Sequence, residues 1–275
     1  PESVFYATTI QTDGKIIAAG YVDSYSNRDL AAFRFNPNGA LDPSFGISGK
    51  ATYNISDIVG EDRINGVALQ QDGRVVGAGN GSSGASLDFA VARMNNDGSL
   101  DRTFNPGRAT TSFLHFDDAG FAAALQPNGK IVVGGYYYHG TDRYCALIRY
   151  NADGSVDTSF GSNGRVTQNY AATVLDEVYA DVAIQPDGKI VVAGYYANGS
   201  QFDLVVARFN ADGTIDNSFN ANGRHQLGIG SNTHDFANAV AIQADGKIVV
   251  GGETDTGSLR NSAFVRFNPN GSLDT

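Results

Sequence analysis

The chain has no tryptophan, one methionine (Met94) and one cysteine (Cys145) in 275 residues. A lone cysteine excludes an internal disulfide and any cysteine-based zinc centre. Basic residues are also short, 19 Lys and Arg against 29 Asp and Glu, for a net charge of −10. That balance argues against duplex nucleic acid, whose phosphates need clustered Lys and Arg, and against an anionic membrane surface. No apolar run approaches the roughly 18–20 residues of a membrane span. Nucleophile-elbow, phosphate-loop and zinc-protease motifs are missing, and His115, His139, His225 and His234 lack ligand spacing. His139 and His234 are expected in variable loops and His225 in a strand. The chain opens at Pro1, so a leader ahead of it would not be visible here.

What is abundant is glycine, 34 residues, beside frequent Asn, Asp and Ser and 41% hydrophobic residues. This is the composition of a folded, turn-rich protein. Its organisation is a repeat. "QTDGKIIAAG" at Gln11 returns as "QQDGRVVGAG" at Gln70, "QPNGKIVVGG" at Gln126, "QPDGKIVVAG" at Gln185 and "QADGKIVVGG" at Gln243. The spacing is roughly 58 residues, and period-level self-similarity outweighs every local signal. A second phrase keeps the same phase: "NPNGALDPSFGISG" from Asn36, "NNDGSLDRTFNPG" from Asn95, "NADGSVDTSFGSNG" from Asn151, "NADGTIDNSFNANG" from Asn210 and "NPNGSLDT" from Asn268. Five copies, at about 1–59, 60–115, 116–174, 175–232 and 233–275, fill one domain spanning 1–275.

Each copy predicts four short strands. Strand a ends at the glutamine ("FANAVAIQ", 236–243) and strand b follows a D-G or N-G turn ("KIVVGG", 247–252). Strand c is "LVVARF" (204–209) and strand d is "GRVTQNY" (164–170). Helical periodicity is absent. Tandem four-stranded antiparallel units predict an all-β, five-bladed β-propeller. A β-helix coil is much shorter, and an immunoglobulin-type sandwich much longer. Small residues at Thr9, Ala68, Ala124, Ala183 and Ala241 suit innermost strands crowding an axis. Five blades are expected to close a ring. The last copy stops at Thr275 without strand d, so the fifth blade is expected to be incomplete, its strand c a free edge open to edge pairing or oligomerisation. A piece of a larger propeller is the other reading.

These two phrases, in register through all five copies, resemble the bacterial delta-60 repeat. The resemblance implies a β-propeller, in secreted or cell-surface proteins, and no particular activity.

The phrase from Asn151 also looks like a calcium loop, yet Asn151, Asp153 and Asp157 fall short of the six to eight oxygens calcium takes, and no bidentate Glu closes it. Asn38 and Asn270 replace the central Asp in two copies. The preferred reading is a c-to-d turn in which Gly154 takes a positive φ and local side chains bond the backbone. An Arg precedes an Asp by eight residues each time: Arg34–Asp42, Arg93–Asp101, Arg149–Asp157, Arg208–Asp216 and Arg266–Asp274. A carboxylate pair to each guanidinium is expected. Phe45, Phe104, Phe160 and Phe219, three residues further on, are expected to plug the gap between blades. No cofactor is expected, calcium being the lesser alternative.

Function is sought on the variable rim formed by the b-to-c and d-to-a loops. Tyr21, Tyr136, Tyr137, Tyr138, Tyr195 and Tyr196 lie there among Asn, Ser and Gly, a recognition-surface composition. Against this stands the plainer reading that they continue strand b. At the entry to strand a stand Glu61, Asp62, Asp117, Asp118, Asp176, Glu177 and Asp235, with Glu2 near the equivalent place. They are candidates for a channel-mouth cation site or for paired glycosidase carboxylates, against loop capping as the plainer role. Cys145 fills a strand c slot held elsewhere by Leu30, Phe89, Leu204 and Ser262, as a core residue would. The leading expectation is a non-enzymatic binding or scaffold module of an exported bacterial protein, recognising a glycan or protein. A glycoside-active enzyme is the alternative.

Overall fold

The computed structural model describes residues 2–24, 27–55, 60–83, 86–113, 116–170, 176–230 and 233–275. They form five sheets. The first is β1 (Ser3–Ile10), β2 (Ile16–Ser24), β3 (Asn27–Phe35) and β4 (Lys50–Tyr53), and the second β5 (Arg63–Leu69), β6 (Val75–Ser83), β7 (Ser86–Met94) and β8 (Arg108–Thr111). The third is β9 (Asp118–Leu125), β10 (Ile131–His139), β11 (Asp142–Tyr150) and β12 (Arg165–Gln168). The fourth is β13 (Glu177–Ile184), β14 (Ile190–Asn198), β15 (Gln201–Phe209) and β16 (Arg224–Leu227). The fifth has three strands, β17 (His234–Ile242), β18 (Ile248–Asp255) and β19 (Arg260–Phe267). Each sheet keeps sequence order, as a propeller blade does, and the last blade is incomplete as expected. No helix is long and apolar enough to cross a membrane among the described residues.

Cα packing divides the chain into two compact units, one of Pro1–Leu125, Gly129–Val133 and Tyr150–Val156, the other of Gln126–Asn128, Gly134–Arg149 and Asp157–Thr275. In the first, Ile17, Leu30, Phe45, Ile64, Val75 and Met94 share a core between the first two blades. In the second, Val191, Leu204, Val206, Phe219, Ile248 and Phe267 do the same between blades four and five. The β-branched runs explain this arrangement. Ile190, Val191, Val192 and Ala193 are all buried, on both faces of a middle strand, where alternation is not needed.

The a-to-b corner is a three-residue loop with a left-handed glycine, such as Gly188 at φ 86°. Gln185 N–H bonds Lys189 O at 2.9 Å across it. The b-to-c connections differ from expectation. Strands b and c run on to pair Tyr195 with Leu204, Tyr196 with Asp203 and Asn198 with Gln201, leaving two-residue Gly199-Ser200 as the turn. Gly199 has φ 68°, the first position of a II′ hairpin, which matches strand twist. The tyrosines therefore sit on strands rather than in loops. His139 likewise ends β10, and His234 opens β17.

The c-to-d corner is built alike in the first four blades, and the fifth keeps its Arg-to-Asp bond. Arg149 Nε donates to Asp157 Oδ2 at 2.6 Å, and Asp157 Oδ1 accepts the Ser159 hydroxyl at 2.7 Å. The same Arg-to-Asp bond measures 2.8 Å at Arg34–Asp42, 2.8 Å at Arg93–Asp101, 2.7 Å at Arg208–Asp216 and 2.5 Å at Arg266–Asp274. Each of the first four guanidiniums also lies over the Phe of its own turn, 4.5–4.9 Å from the ring centre. Its Nη1 then crosses to a turn carbonyl of the next blade: Arg34 to Asn96, Arg93 to Ala152, Arg149 to Ala211 and Arg208 to Pro269. The oxygens of the calcium-like loop are engaged locally. Asp153 Oδ1 accepts Ser155 N–H at 3.0 Å and its hydroxyl at 2.6 Å, and Gly154 takes φ 84° against the Phe104 ring. Among the described residues no three His, Cys, Asp or Glu side chains gather as a metal group.

Two outcomes follow for stability. Phe160→Ala is expected to cost about 3–5 kcal/mol in urea unfolding, since Phe160 is fully buried and a cavity would open beside Gly213. The Ser44 hydroxyl, aided by Lys15 and Arg34, holds the Asp42 carboxyl well below its ordinary range. At Asp216 burial pushes the other way, but bonds from Ser218 and Lys189 win and the carboxyl is also depressed. The lowered folded-state values mean that this stabilisation is complete above the ordinary Asp value of about 3.9 and is lost as pH falls from there through the folded value. The melting temperature should therefore drop below about pH 4, and Asp42→Asn should flatten that limb of the profile.

Candidate functional site

The seven acids at the strand a entry separate into two rows with different surroundings. Asp62, Asp118, Glu177 and Asp235 are fully buried. Each accepts a backbone N–H from the segment leaving the preceding strand d: Asp62 from Ile55 at 2.8 Å, Asp118 from Phe113 at 2.7 Å, Glu177 from Tyr170 at 2.5 Å and Asp235 from Ile229 at 2.7 Å. A side-chain oxygen that accepts a buried amide N–H ties the d-to-a connection closed.

The other row, one residue earlier, reaches the preceding blade. Glu61 pairs with Arg28 at 3.2 Å, Asp117 accepts Leu87 N–H at 2.8 Å, and Asp176 accepts from Arg143 Nη2 at 2.7 Å. In the last copy His234 takes this place, its Nδ1 accepting Phe202 N–H at 3.3 Å. Arg28, Leu87, Arg143 and Phe202 all stand six residues before the arginine of their own c-to-d turn. The row is one repeated bridge whose chemistry changes from blade to blade.

The tyrosines divide by strand parity. Tyr136 and Tyr138 share a face, their rings 5.5 Å apart and edge to face, with the Arg143 guanidinium 5.3 Å from the Tyr136 ring. Tyr137 points the other way and stacks on Tyr144 at 5.3 Å. Tyr21 is buried, under Arg28 at 4.7 Å. Tyr196 is also buried. Desolvation, with Asp203 beside it, pushes its phenol up to about 12. The candidate tyrosines are thus split between two faces.

Tyr195 belongs to a group that the sequence reading did not assemble. Its ring lies 5.4 Å from Phe202 and 5.0 Å from Phe236, both edge to face. His234 lies 5.6 Å from Phe202 and stacks on Phe236 at 6.3 Å. Burial raises the Tyr195 phenol, with nearby Arg143 opposing it. Arg143 in turn holds its proton more tightly because of Asp176, despite burial. Tyr136, Tyr138, Arg143, Asp176, Tyr195, Phe202, His234 and Phe236 are all half-buried, each with part of its surface in solvent. All lie in the second compact unit. Phe202 and Phe236 replace Arg, Leu or small residues at their repeat positions, the signal that could have exposed them.

Three residues stand apart. Asp181 is the one acid at its strand a position, held elsewhere by Ala7, Gly66, Ala122 and Ala239. Burial raises its carboxyl, while Val240 N–H at 2.8 Å and Val182 N–H at 2.8 Å bond it. Cys145 is fully buried, which pushes its thiol well up. His225 Nδ1 lies 3.1 Å from Gly271 O, and His115 lies outside the described residues.

The two acid rows give different expectations. Asp118→Ala should destabilise by about 1–3 kcal/mol in urea unfolding, because Phe113 N–H loses a buried acceptor. Asp117→Ala, on an exposed bond, should cost under about 1 kcal/mol. Equal costs would contradict the division into rows.

No curated protein matches the chain in sequence. Among solved structures, one of a protein of unknown function from Dyadobacter fermentans aligns with a TM-score of 0.56 at 9% identity, over 94% of this chain and 74% of that one. A polysaccharide lyase of the PL25 ulvan lyase family aligns at 0.58 and 14% identity, over 95% and 68%. The polysaccharide lyase Uly1 aligns at 0.56 and 11% identity, over 97% and 70%. At these identities the likeness is one of fold. The model of the DUF5122 beta-propeller, a domain of unknown function, matches residues 11–45, 70–104, 126–160, 185–219 and 243–275, one match per blade. With five matches in phase with its five sheets, the chain belongs to the DUF5122 beta-propeller family.

Proposed function

We infer that the chain is a non-enzymatic carbohydrate-binding propeller of an exported bacterial protein. The observation that carries this reading is the aromatic row of the second unit, in which Tyr136, Tyr138, Tyr195, Phe202 and Phe236 stand half-buried beside the Arg143–Asp176 pair. Rings packed edge to face are held in place before any ligand arrives, so little side-chain entropy is lost on binding. A sugar offers an apolar face to such rings and hydroxyls to Arg143 and Asp176. Phe202 and Phe236 break the repeat, and the tyrosine position, shared with Tyr21, is not fixed by it. Asn80 and Glu253 hold the position of Tyr136 and Tyr195 in two other blades, so the fold itself does not require an aromatic there.

The buried acids support a non-enzymatic role over a glycoside-active one. Each already holds a backbone amide, and moving it to protonate a leaving group would orphan that amide. The delta-60 resemblance supports export, and the lyase likeness adds only that a propeller of this kind exists in glycan-acting proteins.

A glycan-array screen of the purified chain tests the reading. Binding to at least one glycan class is expected, weakened about tenfold or more by Tyr195→Ala or Tyr136→Ala, with the melting temperature little changed. Failure to bind any glycan, with a protein ligand captured through the same tyrosines, would replace carbohydrate by protein as the ligand class.

A further inference from the structure

An Asn-Gly pair is where a backbone nitrogen most readily attacks the preceding side-chain amide, because glycine puts no side chain in its way. Attack needs a glycine N–H that no carbonyl holds and an asparagine free to turn. The chain has eight such pairs, and local structure engages seven of them. At two c-to-d turns Gly39 N–H bonds Asn36 O at 2.9 Å and Gly271 N–H bonds Asn268 O at 2.8 Å. Asn38 and Asn270 in those turns each accept the N–H two residues on, at 3.1 Å. Before strand d, Gly164 N–H bonds Phe160 O at 2.8 Å and Gly223 N–H bonds Phe219 O at 2.7 Å. Asn128–Gly129 sits at an a-to-b corner, and in the other four corners the glycine N–H returns to the glutamine carbonyl at 2.8–2.9 Å. Asn65 and Asn80 lie inside β5 and β6. Asn65 Nδ2 donates to Gly120 O at 2.7 Å, and Asn80 is fully buried, its Oδ1 accepting Arg63 Nε at 2.8 Å.

Asn198–Gly199 differs from all of these. The β14–β15 ladder ends at the pair Asn198–Gln201, so Gly199 opens a two-residue turn, at φ 68°. No carbonyl of its compact unit receives the Gly199 N–H, and Asn198, Gly199 and Ser200 are all exposed. The last pair of a ladder frays first, which lets the Asn198 backbone turn. Its side chain makes one bond, Nδ2 to Asp203 Oδ2 at 2.7 Å on the exposed surface. That bond engages the amide nitrogen, which is the leaving group, and not the carbon under attack.

We propose that Asn198 is a self-modification site, at which the folded chain converts its own side-chain amide to a carboxylate with water as the sole co-reactant. Gly199 N gives up its proton and bonds Asn198 Cγ, the Cγ–Nδ2 bond breaks, and ammonia leaves carrying that proton. Water then opens the cyclic imide at either carbonyl, giving aspartate or the isomer whose main chain runs through the side-chain carbon. Either product removes the donor that Asp203 Oδ2 holds and adds one negative charge to the variable rim. The reaction needs no ligand, so it stands whether or not the aromatic row binds carbohydrate.

Incubation of the folded chain at mildly alkaline pH, followed by tryptic mass spectrometry, tests this. Cleavage after Lys189 and Arg208 isolates Asn198, and the other seven pairs each fall on a tryptic peptide of their own. The Ile190–Arg208 peptide is expected to gain the mass of one amide-to-acid conversion before any other, and to resolve into aspartate and isoaspartate forms. Asn198→Gln should abolish that gain and leave the other peptides unchanged. The chain unfolded in urea should instead modify all eight pairs at similar rates, because the bonds that protect seven of them are gone. The proposal is overturned if another pair reacts first in the folded chain, or if Asn198 reacts no faster than the rest. It is equally overturned if the folded chain stays unmodified over a time in which the unfolded chain reacts.

Discussion

An arginine that lies on its own blade's phenylalanine, holds its own blade's aspartate and donates to the next blade's backbone is the device on which the rest of this structure depends. A nearly dry guanidinium is costly unless its donors are met. Here Arg149, for example, meets Asp157, Ser159, Gln126 and the Ala211 carbonyl, with Phe160 beneath it. The same residue thus closes a turn and fixes the spacing of one sheet from the next. The glycine of the receiving turn is required for two reasons at once, its positive φ and the ring pressed against it.

That device explains why the a-to-b and c-to-d rim is so uniform. Every copy must present the same carbonyl and the same glycine, which leaves little freedom for a ligand site. A polar depression lined by Asp72, Arg74, Asn95, Asn96 and Asp97 does lie on this rim, but Asp72, Asn95 and Asp97 spend their side chains on local turn bonds. The opposite rim is joined by a bridge that tolerates an ion pair, a backbone acceptor or an imidazole. Tolerance of that kind is what lets Phe202 and His234 join an aromatic patch in the second unit.

Much of this was legible in the sequence, and the exceptions have physical causes. A step near 58 residues, with Arg, Asp and Phe at fixed offsets, marks blades, turns and plugs, because each is needed once per copy. The length of the b-to-c hairpins was not legible in the same way. Polar "YYANGSQFD" reads as a loop, yet its Gly199-Ser200 pair is a two-residue II′ turn, and the polar residues are the ends of extended strands. Missing that turn hides parity, and parity decides that Tyr136 and Tyr138 face one way while Tyr137 and Tyr196 face the other. The acids were visible as a cluster, but their division into a buried row and a bridging row depends on which side of the strand each faces.

The exceptions to a repeat carry different information from its rules. Phe202 and Phe236 come from different strands, and although each departs from its repeat position, only the blade packing brings them to Tyr195. Asp181 is an exception of another sort. It introduces an acid beside the innermost strands, but Val240 N–H and Val182 N–H occupy it, so it replaces in one blade a junction that small residues make elsewhere. An exception whose polar atoms are consumed by neighbouring backbone serves the fold. An exception that leaves part of a packed ring in solvent, as at Phe202 and Phe236, has no structural debt to explain it, and that asymmetry is the reason to look for a ligand there rather than at the buried carboxylates.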